Sequence, residues 1–150
     1  MNEILVFLNE SPLVFVVVVV FIGLFNLSLF YLFGKKAERM FQSVDLSNPK
    51  FREKGASGYS TKSALTRLGG ARKVLDVIVT DTELCIKGIF PPFTYIGTKY
   101  DLTHRVPLSC IKSVAKAGSS TEIVFAGESG DRKIRLQLNN SAQFIRAVGG

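Results

Sequence analysis

His104 is the only histidine in the chain. With Asp101, in the run DLTH, it is the one place where the spacing suggests a metal-ligand fragment. A zinc site takes four protein ligands, or three and a water. One His and one Asp fall short, so His104 is expected to be a polar strand or rim residue. Cys85 and Cys110 are separated by 24 residues and both lie in apolar, strand-like contexts. In a reducing compartment they are expected to be buried, reduced and inert, whereas on the other side of a membrane they could pair. GESGD at 127–131 reads as a hairpin turn. The glycosylation sequons at Asn9 and Asn139 are expected to be unmodified, the first because it hugs the membrane and the second because it faces the cytoplasm. No Gly-rich phosphate loop, nucleophile motif or framed pair of carboxylates is present. The expectation is no enzyme, no metal and no cofactor.

The chemistry the sequence does concentrate is positive charge. Residues 35–73 hold ten Lys and Arg against three acidic residues, a net +7 equal to that of the whole chain. Residues 74–150 contribute +2 and residues 1–34 contribute −2. Lys35, Lys36, Arg39, Lys50, Arg52 and Lys54 are therefore candidate contacts to anionic lipid, each worth about 1 kcal/mol when close to a charged leaflet. The attraction is expected to be non-specific. Nucleic acid is not an expected partner, because no reader element or stacking motif frames the basic residues.

What precedes this charge explains its position. Residues 13–33 run for 21 positions without a charged side chain. As a helix they span roughly 32 Å, close to the hydrocarbon thickness of a bilayer. Five consecutive valines at 16–20 favour a strand in water. Strands do not reach this length, and hydrocarbon selects the helix because it satisfies every backbone group internally. A cleaved signal peptide would want a basic leader, and this one carries Glu3 and Glu10 instead. The expectation is a signal anchor. The cations after residue 33 predict an N-terminus (1–12) outside the cell or inner (plasma) membrane and a cytoplasmic body. Asn26, near the centre of the span, is either a tolerated amide or a contact to another helix.

The segment 34–70 reads as a basic juxtamembrane stretch and linker. KKAERMFQSV extends the helix for two or three turns with Met40, Phe41 and Val44 on one side, and SNP at 47–49 stops it. GASGYSTKS at 55–63 reads as flexible. From residue 71 the texture becomes β. Strand-like runs fall at 73–80, 84–90, 98–108, 110–117, 121–127 and 132–138. In the last, Ile134, Leu136 and Leu138 alternate with Lys133, Arg135 and Gln137. NNSAQFIRAVGG then gives a short C-terminal helix with Asn140 at its N-cap and Phe144, Ile145 and Val148 inward.

This order of short strands closed by one helix, with Thr80-Asp81 at the first turn, Val106-Pro107-Leu108, Ile111, Val114, Leu138, Asn140 and Phe144, resembles the pleckstrin-homology-like superfamily in its bacterial and GRAM-like branches. The resemblance covers about residues 70–150. It implies a mainly-β, partly closed barrel with a short C-terminal α-helix plugging one end, behind the N-terminal transmembrane helix. Members of that superfamily bind lipid headgroups or proteins and few are enzymes. The phosphoinositide-binding ones carry basic residues flanking the first hairpin turn. Here that turn is Thr80-Asp81-Thr82-Glu83, whose carboxylates oppose a phosphate, and only Lys73 and Lys87 lie on the flanking runs.

One further stretch carries functional interest. IFPPFTYI at 89–96 gathers aromatics around two prolines, which keep it out of a central strand. It is either a long connection folded back over the barrel or an exposed apolar patch. Phe90, Phe93 and Tyr95, with Lys87, Lys99 and Arg105, form the candidate surface for a membrane or a protein partner. The expected function is a membrane-anchored binding module whose domain, at 71–150, sits near the inner leaflet. The alternative is an accessory subunit that joins a larger membrane complex through its helix.

Overall fold

The computed structural model describes residues 12–127 and 130–149. The acidic N-terminal flank, the Asn9 sequon, and Glu128 and Ser129 of the expected turn lie outside the described residues. Helix α1 (Pro12–Glu38) is 27 residues long. Its apolar stretch has a mean hydropathy of 2.9 over an 18-residue window, and none of that window is covered by the rest of the protein. A core helix of a soluble domain would be covered. This helix is long and apolar enough to cross a membrane. Two polar side chains within its apolar run bond back to the helix: Asn26 Nδ2 donates to the carbonyl of Ile22 at 2.8 Å and Ser28 Oγ to that of Leu24 at 2.9 Å.

Beyond a 3₁₀ turn (Arg39–Phe41), seven strands form one antiparallel sheet. They are β1 (Phe51–Ser60), β2 (Ala71–Val79), β3 (Glu83–Gly88), β4 (His104–Pro107), β5 (Ile111–Ala117), β6 (Ser120–Gly127) and β7 (Gly130–Gln137). Their order is β4-β3-β2-β1-β7-β6-β5, and β4 and β5 are the free edges, so the sheet curls without closing. Helix α2 (Ala64–Leu68) links β1 to β2, α3 (Pro91–Lys99) links β3 to β4, and α4 (Ser141–Gly149) ends the described chain.

The largest departure from the sequence reading is β1. The stretch expected as linker is the central strand. Its first half pairs with β2, from Phe51 opposite Val79 to Ala56 opposite Leu75. Its second half pairs with β7, from Ser57 opposite Gln137 to Ser60 opposite Ile134. Two register slips interrupt the pairing with β2, which resumes at Gly58 opposite Ala71, and Gly55 at φ +83° supplies the left-handed residue of the bulge. A bulge bends a strand and increases its twist, which carries the sheet from one partner to the other. The small and polar residues that suggested a linker are those that permit this bend. The folded β unit therefore begins near residue 51 rather than 71.

The run expected as a strand at 98–108 is also divided. Its start completes α3, and only His104–Pro107 pairs, with β3. The alternation in β7 holds, with Ile134 and Leu136 fully buried and Leu138 packed beside them. Phe144 of α4 is fully buried, with its ring edge-on to Phe51 at 5.3 Å. Ile145 and Val148 pack on the same core. The buried Glu53 of β1 fixes the entry to α4, accepting from the backbone N–H of Asn139 at 2.8 Å and Asn140 at 3.2 Å. The Asn140 carbonyl then accepts the first helical bond, from Phe144 N.

From Leu75 to Val79, β2 is buried on both faces. Leu75, Val77 and Val79 face the main core. Ile78, with Cys85 of β3, is covered on the outer face by Phe41, Val44 and Leu46. The segment after α1 thus folds back onto the sheet. This is why Val77, Ile78 and Val79 read as continuously apolar rather than alternating, while the buried Asp76 beside them is neutralised by Arg52.

Candidate membrane-facing site

The stretch with Phe90, Phe93 and Tyr95 forms a helix. Pro91 and Pro92 occupy the first helical positions, where a missing N–H costs nothing and a preset φ helps. Phe90 precedes them in extended backbone. Thr94 is completely buried, and its hydroxyl reaches the carbonyls of Gly88 and Phe90, both at 3.3 Å. Its own carbonyl accepts from Thr103 Oγ1 at 2.8 Å, tying α3 to the loop before β4. The helix lies between β3 and α1. The prolines, read as a loop signal, are here an N-terminal helix signal.

Against α1 the fit is close. Gly34 is buried, and a Cβ there would overlap the Pro91 carbonyl. Tyr95 stacks on Phe33 with ring centroids 5.3 Å apart and meets the edge of Phe30 at 6.1 Å. Pro91 therefore lies beside Gly34 and Tyr95 one turn back along α1, so the two helices run in opposite directions. Phe33 and Phe30 belong to the apolar run itself. On the uncovered side of α3, Phe90 is 58% exposed, Phe93 36% and Ile96 37%. Phe93 and Ile96 also line an apolar pocket of about 370 Å³ with Leu75, Tyr100 and Leu102. Gly69 and Gly70 close its other side, directly after Leu65 and Leu68 of α2, which are 69% and 87% exposed. Those two leucines are exposed apolar side chains just before the pocket wall in sequence. Sequence reasoning missed them because they lie within the supposed linker, and their three-residue spacing was the available signal.

The expected cations separate into two groups. Arg52 is held by Asp76, with Nε and Nη2 donating to the two carboxylate oxygens at 3.2 and 2.7 Å. Asp76 is buried, so this guanidinium neutralises an internal charge. Lys50 reaches Asp81 at 3.4 Å. Arg105 donates from Nε to Glu83 at 2.8 Å, and from Nη1 to the carbonyl of Met40 and to Ser43 Oγ at 3.0 and 2.6 Å. Its work is to clamp the segment after α1 onto the sheet. By contrast Lys35, Lys36, Arg39, Lys54, Lys87 and Lys99 have no carboxylate within ion-pair distance among the described residues. Lys99 Nζ lies over the Tyr95 ring at 5.6 Å and Lys35 Nζ over Tyr31 at 5.1 Å, so each ammonium faces an aromatic ring and no carboxylate. Asn26 spends an amide hydrogen inside its own helix.

His104 is buried, not at a rim. Its Nε2 lies 2.8 Å from the backbone carbonyl of Asp101, and its ring meets Phe125 edge-on at 5.1 Å. The Asp101 carboxylate accepts from Ser60 Oγ and from Arg132 Nη1, each at 2.8 Å. This network joins β1, β4 and β7. Burial pushes the His104 pKa down, against the opposing pull of Asp101. The unfolded chain therefore takes up the proton first. Stability is unaffected by this group above its ordinary value of about 6.5 and falls as pH drops below it, by at most about 1.4 kcal/mol per pH unit. Urea unfolding at pH 7.5 and 5.5 should show this loss, and His104→Gln should reduce the difference. An unchanged pH difference in the variant would assign it to other groups. Cys85 is buried with its thiol pushed up to about 11, first by burial, and Cys110 is half-buried; both are free thiols. Among the described residues no group of three or more His, Cys, Asp and Glu side chains could hold a metal ion.

Neither any known protein family nor any curated protein matches the chain.

Proposed function

We propose that this chain is a membrane-anchored, non-enzymatic binding module. In this reading α1 crosses the cell's inner (plasma) membrane with its N-terminus outside. The β unit is pleckstrin-homology-like and is held against the cytoplasmic leaflet to dock a protein partner. The observation that carries the reading is the packing of α3 on α1: Tyr95 contacts Phe30 and Phe33 of the apolar run, while Phe90, Phe93 and Ile96 remain uncovered beside them. A domain joined in this way has a fixed apolar face at the bilayer surface, where amphipathic segments gain energy by burying apolar area. Seven antiparallel strands in a curled, unclosed sheet, with α4 packed over the core, support the superfamily resemblance.

The accessory-subunit alternative has weaker support, since Asn26, its best candidate contact, already donates within α1. Two measurements test the proposal. The chain should remain in the membrane through alkaline carbonate extraction. A C-terminal tag should be protected from protease in intact cells and digested in inverted vesicles. Release by carbonate, or digestion in intact cells, would overturn it.

A further inference from the structure

The end of α1, the 3₁₀ turn and β3 enclose a second pocket, of about 430 Å³, lined by Lys35, Glu38, Arg39, Phe41, Gln42 and Lys87. Three cations face one carboxylate, and none of the three is ion-paired among the described residues. We infer that this pocket binds the phosphate of an anionic phospholipid headgroup.

Position selects the ligand. Lys35 stands two residues beyond Phe33, the last residue of the apolar run. At about 1.5 Å per residue it lies some 3 Å past the hydrocarbon edge, and Arg39 about 6 Å further, which spans the interfacial layer where lipid phosphates sit. Geometry makes it a site instead of a diffuse field. Phe41 is buried against Ile78 and Cys85 and forms a fixed floor. Lys87 comes from β3, far away in sequence, and its Nζ stands 5.8 Å from the Phe41 ring centre. The clamp from Arg105 to Met40 and Ser43 holds the 3₁₀ turn in place. A phosphate between them can take paired donors from the Arg39 guanidinium, point charges from Lys35 and Lys87, and the Gln42 amide. The net positive lining favours an anionic headgroup over a zwitterionic one, whose own cation it repels.

This inference rests on the membrane reading, and the test separates the two. The full chain is placed in phosphatidylcholine nanodiscs with a trace of chain-spin-labelled phosphatidylglycerol or phosphatidylcholine. The motionally restricted fraction is read by electron paramagnetic resonance. Phosphatidylglycerol should be preferred, and Lys87→Gln or Lys35→Gln should lower the preference about fivefold, the worth of one cation at the surface. Lys36→Gln, with the same charge change outside the pocket, should lower it by clearly less than Lys87→Gln, and Lys87→Arg should restore it. Millimolar inorganic phosphate should not compete. Equal losses in Lys36→Gln and Lys87→Gln would show a diffuse field and overturn the site. Competition by free phosphate would overturn the lipid assignment. Incorporation with equal restricted fractions of the two lipids would overturn the site alone, and failure to incorporate would overturn the membrane reading with it.

Discussion

Removing residues 1–70 is expected to unfold the remainder, not to release a soluble domain. The cut deletes β1, which joins β2 to β7. Without it the sheet falls into two three-stranded halves, β4-β3-β2 and β7-β6-β5. The cut also removes Phe51 from Phe144, and the Glu53 carboxylate from the backbone at Asn139 and Asn140. Burial of Phe51 alone is worth about 1.5–3 kcal/mol, and the lost strand bonds leave buried groups of β2 and β7 without partners. Against a typical domain stability of about 5–15 kcal/mol the sum is decisive. Circular dichroism and thermal unfolding should show no cooperative transition for residues 71–150. A fragment from residue 39 keeps β1 and its outer cover and should retain one. A cooperative transition in the shorter fragment would mean that β1 is not integral to the fold.

Gly34→Leu should loosen α3 while leaving the sheet folded. A side chain at Gly34 runs into the backbone of Pro91, and backbone cannot rotate aside. Overpacking of this kind costs about 1–3 kcal/mol. Local opening of α3 should rise about 10- to 100-fold, read as faster amide hydrogen exchange across Pro91–Lys99. The matched change Gly23→Leu meets nothing within 4 Å and should leave that exchange unaltered. Unchanged α3 exchange in Gly34→Leu would show that α1 does not seat there.

What the sequence revealed and what it concealed divide along physical lines. The apolar helix was legible from length and hydropathy, because among the described residues only its end meets α3 and the 18-residue apolar window stays unburied. β7 and α4 were legible because each buries a single face, so Ile134 and Leu136 repeat every two residues and Phe144 and Val148 every four. β1 was hidden because its bulge calls for the glycines and serines that also make linkers. α3 was hidden because prolines in a first helical turn look like prolines in a loop until the buried Thr94 is seen to anchor the helix. Within the site, the basic residues were visible as charge. Which of them are free was not, since the pairing of Arg52 with Asp76 and of Arg105 with Glu83 spans more than twenty residues. Lys87 joins Lys35 and Arg39 only through the fold.

The chain has no tryptophan, so Phe93→Trp introduces a single fluorophore on the uncovered face of α3. In nanodiscs carrying the full chain, its emission should be blue-shifted, quenched by lipids brominated along the acyl chain, and nearly insensitive to aqueous iodide. That result would put α3 in the bilayer surface beside α1. Emission typical of water, quenched by iodide and untouched by brominated lipid, would contradict the account.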